Sequence, residues 1–241
     1  MLKKLENTWL ADFFSLIFPN YCLGCEAPLT KGEKQLCTRC LYDLPQTNYH
    51  LHKDNVLSQR FWGRVPIEYA FAYLKFSKGG KVQKILHELK YDHNQTIGEM
   101  VGNWYGQLLI DAALAKLDGK QEQIFDLILP VPLHKAKLRS RGYNQSDCFA
   151  RGLSAITDIP WYANVLRRNK ATKTQTKKGR IDRWKNVDNI FEVLRPELVK
   201  GQHVLLVDDV VTTGATLEAC ANSLLKVGTA KVSVATIAVA L

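Results

Sequence analysis

The sequence contains no long hydrophobic run, since none of its apolar stretches approaches the ~20 residues that a membrane-spanning helix needs. The N-terminal stretch from Trp9 to Phe18 is interrupted by Asp12 and ended by Pro19, and no small-residue cleavage site of a signal peptide follows. Its apolar residues share one helical face, which predicts a docked amphipathic helix. Repeats and low-complexity segments are also absent. We therefore expect a cytoplasmic globular protein without a membrane span.

The sequence also lacks the two best-known nucleotide-binding loops. Neither G-x-x-x-x-G-K-[ST] nor G-x-G-x-x-G occurs, so a Walker-type phosphate loop and a dinucleotide-binding turn are excluded. A response-regulator receiver places an aspartate pair after a strand, as this chain does at Asp208 and Asp209, but most of its domain follows that pair. Only 32 residues follow Asp209, which excludes a receiver.

The chain has 241 residues, of which 46% are hydrophobic, enough for one α/β domain and a small appendage. Unbroken apolar runs alternate with amphipathic segments, which is typical of a parallel sheet covered by helices on both faces. The predicted strands are Glu68–Phe76, Ile124–Val131, Trp161–Leu166, Ile190–Leu194, Val204–Val207 and Val232–Val239. The predicted helices centre on Val82–Leu89, Ile97–Leu108, Asn144–Ile156 and Ala215–Lys226.

Three regions follow from this pattern. Residues 1–45 contain the N-terminal helix and a cysteine-rich module. Residues 46–66 are polar, lack clear periodicity and predict a linker or an irregular segment. Residues 67–241 form the predicted α/β domain.

Four of the six cysteines form the pattern Cys22-x2-Cys25-x11-Cys37-x2-Cys40. Two such knuckles are typical of a structural Cys₄ zinc site, in which each knuckle supplies two thiolates to a tetrahedron. A module this short buries little surface, so the metal would supply its folding energy. Disulfides are the alternative, which a reducing cytosol disfavours. The other two cysteines, Cys148 and Cys220, lie on predicted helices and are expected to be small core residues.

The net charge of +10 is concentrated in two blocks. His134–Arg151 contains five basic residues and one acid, and Arg167–Lys200 contains eleven basic residues and four acids. These blocks together carry +11, which leaves −1 for the rest of the chain. A solvated charged face is the ordinary explanation, but charge confined to two loops beside a phosphate motif favours a polyanionic ligand.

That phosphate motif is the stretch Val204–Thr216. Four apolar residues predict a buried strand, and Asp208 and Asp209 follow at its carboxyl end, where α/β sheets bind ligands. A turn of small and hydroxylated residues then begins a helix. Its backbone N–H groups and the hydroxyls of Thr213 and Thr216 can bind a phosphate. Paired carboxylates suit a phosphate ligand if they accept hydrogen bonds from sugar hydroxyls or hold Mg²⁺ through water.

The same stretch resembles, at every position, the signature with which type I phosphoribosyltransferases bind 5-phosphoribosyl-1-pyrophosphate (PRPP). The resemblance implies that Asp208 and Asp209 bind the ribose 2′- and 3′-hydroxyls, with Mg²⁺ as cofactor. It implies that the 5′-phosphate lies on Thr212, Thr213, Gly214, Ala215 and Thr216. It implies that the pyrophosphate faces the Val131–His134 loop, through Val131, Pro132 and His134, with Arg139 and Arg141 as charge stabilisers. Residues 167–187 would form a flexible hood.

The whole chain resembles the ComF family of competence proteins, also called the ComFC/GntX group. The matching blocks are the Cys22–Cys40 module, Pro130–His134, Arg141–Gln145, and Thr174-Gln175 followed by Arg183 and Asn186. The resemblance implies a protein of bacterial DNA uptake that binds PRPP, handles single-stranded DNA and meets proteins of the uptake machinery. Tyr143, Trp161 and Trp184 lie near the basic blocks and would stack on bases, although aromatic residues near loops often belong to the core.

An ordinary metabolic phosphoribosyltransferase, acting on a small nitrogenous acceptor, is the alternative. As an enzyme, the chain would be a PRPP-dependent glycosyltransferase that displaces pyrophosphate at C1 through an oxocarbenium-like centre. Purine-salvage members carry an acid at the position of Thr212, and that acid handles the proton of the base. A threonine hydroxyl does not do this at neutral pH. The substitution disfavours purine salvage and leaves open that the chain binds PRPP without turnover.

Overall fold

The structure is a computed structural model, and it describes residues 19–91, 94–116, 125–169 and 190–240. The predicted N-terminal helix lies outside the described residues. So do residues 170–189, which contain most of the second basic block and the family block from Thr174 to Asn186. Within the described part of the chain, no helix combines the length and apolar character needed to cross a membrane.

A parallel sheet of four strands forms the centre of the molecule. The strands among the described residues are β1 (Ala70–Phe76), β2 (Leu127–Pro130), β3 (Leu166–Arg168), β4 (Phe191–Val193), β5 (His203–Val211) and β6 (Lys231–Ala240). The sheet order is β1-β6-β5-β2, and every neighbouring pair is parallel. The remaining strands, β3 and β4, form a separate antiparallel pair. The parallel α/β fold predicted from alternating apolar runs is confirmed.

Helices cover both faces of this sheet. The described α-helices are α1 (Thr38–Tyr42), α2 (Lys81–Tyr91), α3 (Gln95–Lys116), α4 (Lys135–Arg141), α5 (Gln145–Thr157) and α6 (Ala215–Lys226), and of these α2, α3, α5 and α6 pack on the sheet. Short 3₁₀ helices lie at Tyr49–Leu51, Ser58–Phe61 and Pro196–Leu198. Alternate residues of β5 enter different cores: Leu205 packs in the cluster with α2, α3 and α5, and Leu206 in the cluster with α6. A strand buried on both faces has no polar side, which explains its continuous apolar run.

The strand β5 is longer than its sequence predicts. We expected it to end at the acid pair, after Val207, but it continues to Val211 because β6 pairs with it as far as Val239. The strand on its other side, β2, ends at Pro130, which lies opposite Val207. Residues from Asp208 onward therefore have a strand on one side only. The open side gives access to the acid pair.

The helices α3 and α5 approach each other closely through glycine. A Cβ atom added to Gly152 would lie 2.1 Å from the carbonyl oxygen of Glu99, and one added to Gly102 would lie 2.5 Å from that of Phe149. No side chain fits at either place, so the two backbones pack directly together. This contact fixes α5, whose first turn borders the candidate site.

The predicted linker, residues 46–66, is irregular in structure and packs onto the sheet. Leu57 and Phe61 are almost completely buried in the same core as α6. The buried Asn55 donates from Nδ2 to the carbonyl of Ala70 in β1, at 3.0 Å. Its side-chain oxygen accepts from the N–H of Leu57 at 2.9 Å. Hydrophobic packing and the hydrogen bonds of Asn55 thus hold the segment against the sheet. A division of the chain at its two ends stays a prediction.

One predicted strand is wrong. We expected Trp161–Leu166 to be a strand, but Trp161 makes only an isolated bridge to Ile128. The chain then turns, and the strand is formed by Leu166–Arg168, at the place where the basic loop was expected to begin. β2 has four residues, and the bridge consists of two backbone hydrogen bonds: the N–H of Ile128 donates to the carbonyl of Pro160 at 2.9 Å, and the N–H of Tyr162 donates to the carbonyl of Ile128 at 3.2 Å.

Candidate functional site

The two acids of the phosphate motif lie side by side, half-buried, at the open side of β5. Asp208 Oδ1 accepts hydrogen bonds from Ser146 Oγ at 3.0 Å and from the N–H of Asp209 at 2.9 Å. Burial, followed by the charge of Asp209, raises the pKa of Asp208 to about 7. These causes outweigh the hydrogen bonds and the positive charge of Lys90, which lower it. The site thus contains a carboxyl group whose proton is removed close to neutral pH.

Lys90 belongs to the site, although it was not among the residues predicted from the sequence. Its Nζ lies 2.8 Å from Asp209 Oδ2, and both side chains are mostly buried. A carboxylate pair in so little water needs a nearby cation, which Lys90 supplies. The sequence did contain a signal: Lys90 follows the buried Leu86 by four residues, so it lies near the face that α2 buries.

The phosphate loop begins where β5 ends and leads directly into α6. Gly214 precedes the helix in the left-handed conformation, with φ of +81°, which favours glycine. Thr212, Thr213 and Ala215 are exposed at the tip of the loop. Asp208 and residues 210–217 line a small recess of about 40 Å³. The N-terminus of a twelve-residue helix therefore borders the carboxylates, and helix N-termini bind anions.

Two arginines of the 46–66 segment lie behind this loop. Arg60 donates to the carbonyl oxygens of Thr212 and Ala240, and Arg64 donates to that of Thr213 at 3.1 Å. Between the two arginines, Phe61 packs against Gly214 so closely that a Cβ there would lie 3.0 Å from the ring. Neither arginine was expected at the site from the sequence. The contacts span about 150 positions of the chain, and no local pattern reports such a distance.

The loop after β2 lies beside the acid pair, as parallel neighbouring strands require. The side chain of Val131 is buried, its N–H donates to the carbonyl of Val207 at 2.8 Å, and its carbonyl accepts from Asn144 Nδ2 at 3.0 Å. Pro132 and His134 are partly exposed, and His134 Nδ1 accepts from the N–H of Ala136 at the start of α4. The backbone N–H and C=O of Val131 thus form hydrogen bonds within the protein.

The first basic block is the short, exposed helix α4 and its surroundings. Arg139 is exposed, together with Lys135 and Lys137. Arg141 donates to Gln145 Oε1 at 2.7 Å, and its guanidinium lies 5.6 Å from the centre of the Tyr91 ring. Because Tyr91 follows Lys90, this block adjoins the acid pair.

Of the three aromatic residues expected to stack on bases, Tyr143 does not. Its ring is buried and its hydroxyl donates to the carbonyl of Leu89, so it belongs to the core. Trp161 is partly exposed beneath Arg151, whose guanidinium lies 5.7 Å from its ring centre. Trp184 and most of the expected hood lie outside the described residues. The described base of that hood is the β3–β4 pair, where Arg167 and Glu192 form an ion pair of 2.7 Å.

The four N-terminal cysteines converge. The sulfur atoms of Cys22, Cys25, Cys37 and Cys40 all lie within 4.8 Å of one another. Those of Cys25 and Cys37 are 3.7 Å apart, close to the edge of about 3.8 Å that a tetrahedron with Zn–S bonds of about 2.3 Å would have. A Cβ at Gly24 would lie 2.8 Å from the sulfur of Cys40, so the turn between the first two ligands needs glycine. The donor set fits a tetrahedral Zn²⁺ ion.

Electrostatics of the cysteine cluster also favour a cation. Burial raises the pKa of Cys22, but hydrogen bonds from the backbone of Cys37, Cys25 and Gly24 outweigh it and bring the pKa to about 6. Burial, with the neighbouring sulfur atoms, raises the pKa of Cys40 to about 12. The negative charge of one thiolate thus disfavours ionisation of the neighbouring thiols. A bound divalent cation would neutralise this charge and allow all four to be thiolates. The other two cysteines, Cys148 and Cys220, are buried core residues as predicted.

The cysteine module shares the main core of the molecule. The buried side chains of Cys22, Leu36 and Cys40 belong to the cluster formed with α2, α3 and α5. On the surface, Lys84 of α2 forms an ion pair of 2.7 Å with Glu26. The module therefore packs against α2, which also carries Lys90.

Comparison with known proteins agrees with this architecture. The model of the phosphoribosyl transferase domain matches residues 148–240, a range that includes β5, the phosphate loop and α6. The DNA utilization protein YhgH of Escherichia coli K12 is 30% identical over 234 residues, which cover 91% of this chain and 96% of that protein. Competence protein F of Haemophilus influenzae is 37% identical over 138 residues, covering 53% of this chain and 60% of that protein. The chain belongs to the ComF family.

This ComF-family relationship extends over the cysteine module as well as the α/β domain, because the match to the Escherichia coli protein covers nearly the whole chain. Among solved structures, the glutamine PRPP amidotransferase of Bacillus subtilis, complexed with ADP and GMP, matches with a TM-score of 0.42 at 19% identity. That match covers 62% of this chain and 30% of the amidotransferase. The predicted type I phosphoribosyltransferase-like fold is confirmed by the match of the phosphoribosyl transferase domain model to residues 148–240.

Proposed function

We propose that this chain binds PRPP with Mg²⁺ at the acid pair and the phosphate loop, and that it handles single-stranded DNA during DNA uptake. The observation that carries the first part is the juxtaposition of Asp208 and Asp209 with the N-terminus of α6 on the open side of β5. Carboxylates accept from sugar hydroxyls, and a helix N-terminus binds a phosphate. A ribose phosphate presents both groups.

Each part of PRPP has a place in this proposal. The ribose hydroxyls donate to Asp208 and Asp209, while Lys90 balances the negative charge of the pair. The 5′-phosphate lies on Thr212–Thr216, and the pyrophosphate faces Pro132, His134 and the exposed cations of α4. Mg²⁺ would supply charge neutralisation for the pyrophosphate. Arg139 and Arg141 would stabilise that charge further if pyrophosphate leaves.

The part of the proposal that concerns DNA is supported by the names of the relatives and by the location of charge. The matched proteins are a DNA utilization protein and a competence protein. The exposed helix α4 presents Lys135, Lys137 and Arg139 next to the proposed PRPP site. Nucleic acids bind such surfaces through their phosphates. Proteins of the uptake machinery are the partners that this role implies.

Calorimetry with the full chain tests PRPP binding. We expect wild-type protein to bind PRPP only with Mg²⁺, and the double variant Asp208→Ala/Asp209→Ala to lose at least about a hundredfold in affinity, because several charge-assisted hydrogen bonds disappear together. The control is Asp111→Ala, an exposed acid of α3 outside the site. Unchanged affinity in a folded double variant would exclude the acid pair as the ribose site.

A further inference from the structure

Arg60 and Arg64 determine which way the peptide groups of the phosphate loop point. Arg60 bridges two carbonyl oxygens, that of Thr212 in the loop and, at 2.8 Å, that of Ala240 at the end of β6. Arg64 donates from Nη1 to the carbonyl of Thr213 at 3.1 Å, and from Nη2 to the carboxylate of Glu218 in α6. Two successive loop carbonyls are thus held on the side of the 46–66 segment.

The opposite face of the same peptide groups is the face that an anion needs. In a trans peptide the C=O of one residue and the N–H of the next point in opposite directions. The carbonyls of Thr212 and Thr213 point to the arginines, so the N–H groups of Thr213 and Gly214 point away from them. Among the described residues, neither N–H donates a hydrogen bond to a protein atom. Both donors are therefore available to a ligand.

We propose that Arg60 and Arg64 are positioning residues for a phosphate monoester: they hold the loop carbonyls away from it, so that the N–H groups of Thr213 and Gly214 face it. The inference rests on the proposed binding of PRPP at this loop. If the peptide groups rotated, carbonyl oxygens would replace the donors and repel the phosphate. Phe61 adds to this constraint, because its ring packs on Gly214 and limits movement of the loop.

The two arginines differ in what they add beyond position. The positive charge of Arg64 is neutralised by its ion pair with Glu218. For Arg60, the described residues contain no ion-pair partner, so its positive charge remains behind the loop and favours an anion in front of it. Lysine at position 60 would keep this charge, but one ammonium group does not reproduce the forked geometry that bridges two separate carbonyls. The Arg60→Lys variant therefore separates position from charge.

Ribose 5-phosphate is the probe, because it carries the phosphate without the pyrophosphate. With the ¹⁵N-labelled full chain, we expect ribose 5-phosphate to shift the amide resonances of Thr213 and Gly214 in wild-type protein. In Arg60→Gln the affinity should fall about tenfold, as for the loss of a strong hydrogen-bonding arrangement, and in Arg60→Lys, which keeps the charge, it should fall less; in both variants the two shifts should shrink. In Arg64→Gln the effect should be smaller. Lys231→Gln removes a charge at the opposite edge of the sheet and should bind normally.

The outcomes distinguish this inference from the proposal on which it rests. If wild-type protein shows no shift at the loop amides with ribose 5-phosphate and no binding of PRPP, both fail. If wild-type protein binds and the arginine variants bind equally well, only the positioning role fails. Full affinity in Arg60→Lys would assign the effect to charge and overturn the inference. If Arg60→Gln does not fold, the exposed Arg64→Gln variant decides, since unchanged amide shifts there would contradict the role.

Discussion

Asp208 and Lys90 show how single residues at the site depend on their surroundings. Asp208 has a pKa near neutrality because burial and the adjacent Asp209 oppose its ionisation. Lys90, on helix α2, forms an ion pair with Asp209 and so reduces the free-energy cost of burying the negative charge of that carboxylate. The acid pair could be predicted from the sequence because its two members are adjacent. Lys90 could not be assigned to the pair, since 119 positions separate it from Asp209.

The raised pKa of Asp208 predicts how stability varies with pH. The folded protein binds this proton more tightly than the unfolded chain, whose Asp has a pKa near 3.8, so stability falls as pH rises from about 4 to about 7. Asp208→Asn should remove this loss and exceed wild type in stability at pH 8 by about 2–4 kcal/mol. Urea denaturation at pH 5 and pH 8 measures it, with Asp111→Asn as control. If the wild type has the higher free energy of unfolding at pH 8, the ionised form of Asp208 stabilises the folded protein, which would contradict this prediction.

At the scale of elements, the position of α5 links packing to the site. Its first turn contributes Ser146, which donates to Asp208, and its N-cap Asn144, which binds the carbonyl of Val131. The helix itself was predicted from periodicity. The short distance between α5 and α3 depends on Gly102 and Gly152. Their importance follows from the tertiary contact between the two helices and not from the local sequence.

Replacing one of these glycines should separate the two helices. Gly152→Ala places a Cβ 2.1 Å from a backbone oxygen of Glu99, which cannot move without α3, so we expect a loss of about 3 kcal/mol or more. Gly106→Ala is the matched control on the same interface, where the nearest atom is Ile156 Cβ at 3.2 Å. Urea unfolding compares them. Equal losses for the two variants would mean that close backbone approach does not set the cost.

The cysteine module is the second element that makes a sharp prediction. We expect about one zinc per chain, bound at about 2.3 Å by four sulfur atoms. Cys25→Ser should reduce the zinc content strongly, because serine is a poor ligand for zinc, whereas Cys148→Ala, which changes a buried cysteine outside the cluster, should retain it. Elemental analysis and X-ray absorption measure both. Metal-free wild-type protein with a disulfide in the module would contradict the zinc site.

At the scale of the whole molecule, the described part of the first basic block lies near the acid pair. This block begins shortly after β2, and Arg167 and Arg168, the first two basic residues of the second block, lie in β3. We expected this block beside the phosphate motif from the sequence, although Lys135, Lys137 and Arg139 lie about 70 positions before the acid pair. The parallel pairing of β2 with β5 brings them there.

The second block carries the prediction for DNA. Lys173, Lys177 and Lys178 lie outside the described residues, and their charges make them candidates for phosphate contacts, together with Arg180. Each contact with a single strand contributes about 0.7 to the salt slope, so neutralising these three lysines should flatten it by about two units. PRPP affinity should change much less.

Titrations of single-stranded DNA at several salt concentrations measure this slope. Normal DNA binding with loss of PRPP binding or turnover in the triple variant would assign the loop to the hood and favour a metabolic phosphoribosyltransferase. Absence of salt-sensitive DNA binding in the wild type would exclude the nucleic-acid role.

The sequence by itself determined the features that depend on neighbours along the chain. The buried strand β5, the acid pair, the loop Thr212–Thr216 and the helix α6, whose predicted bounds Ala215–Lys226 match the structure, are all local patterns. The four cysteines followed from ligand spacing. Such patterns persist because backbone conformation and hydrophobic periodicity act over a few residues.

Tertiary structure decided the rest. It extended β5 past the acids, because β6 continues to pair there. It placed Tyr143 in the core and packed the expected linker against the sheet. It also brought Lys90 to Asp209, and Arg60 and Arg64 to the phosphate loop. The contacts of Lys90, Arg60 and Arg64 join residues more than a hundred positions apart, and they form only because burial of the shared core holds the elements in one arrangement.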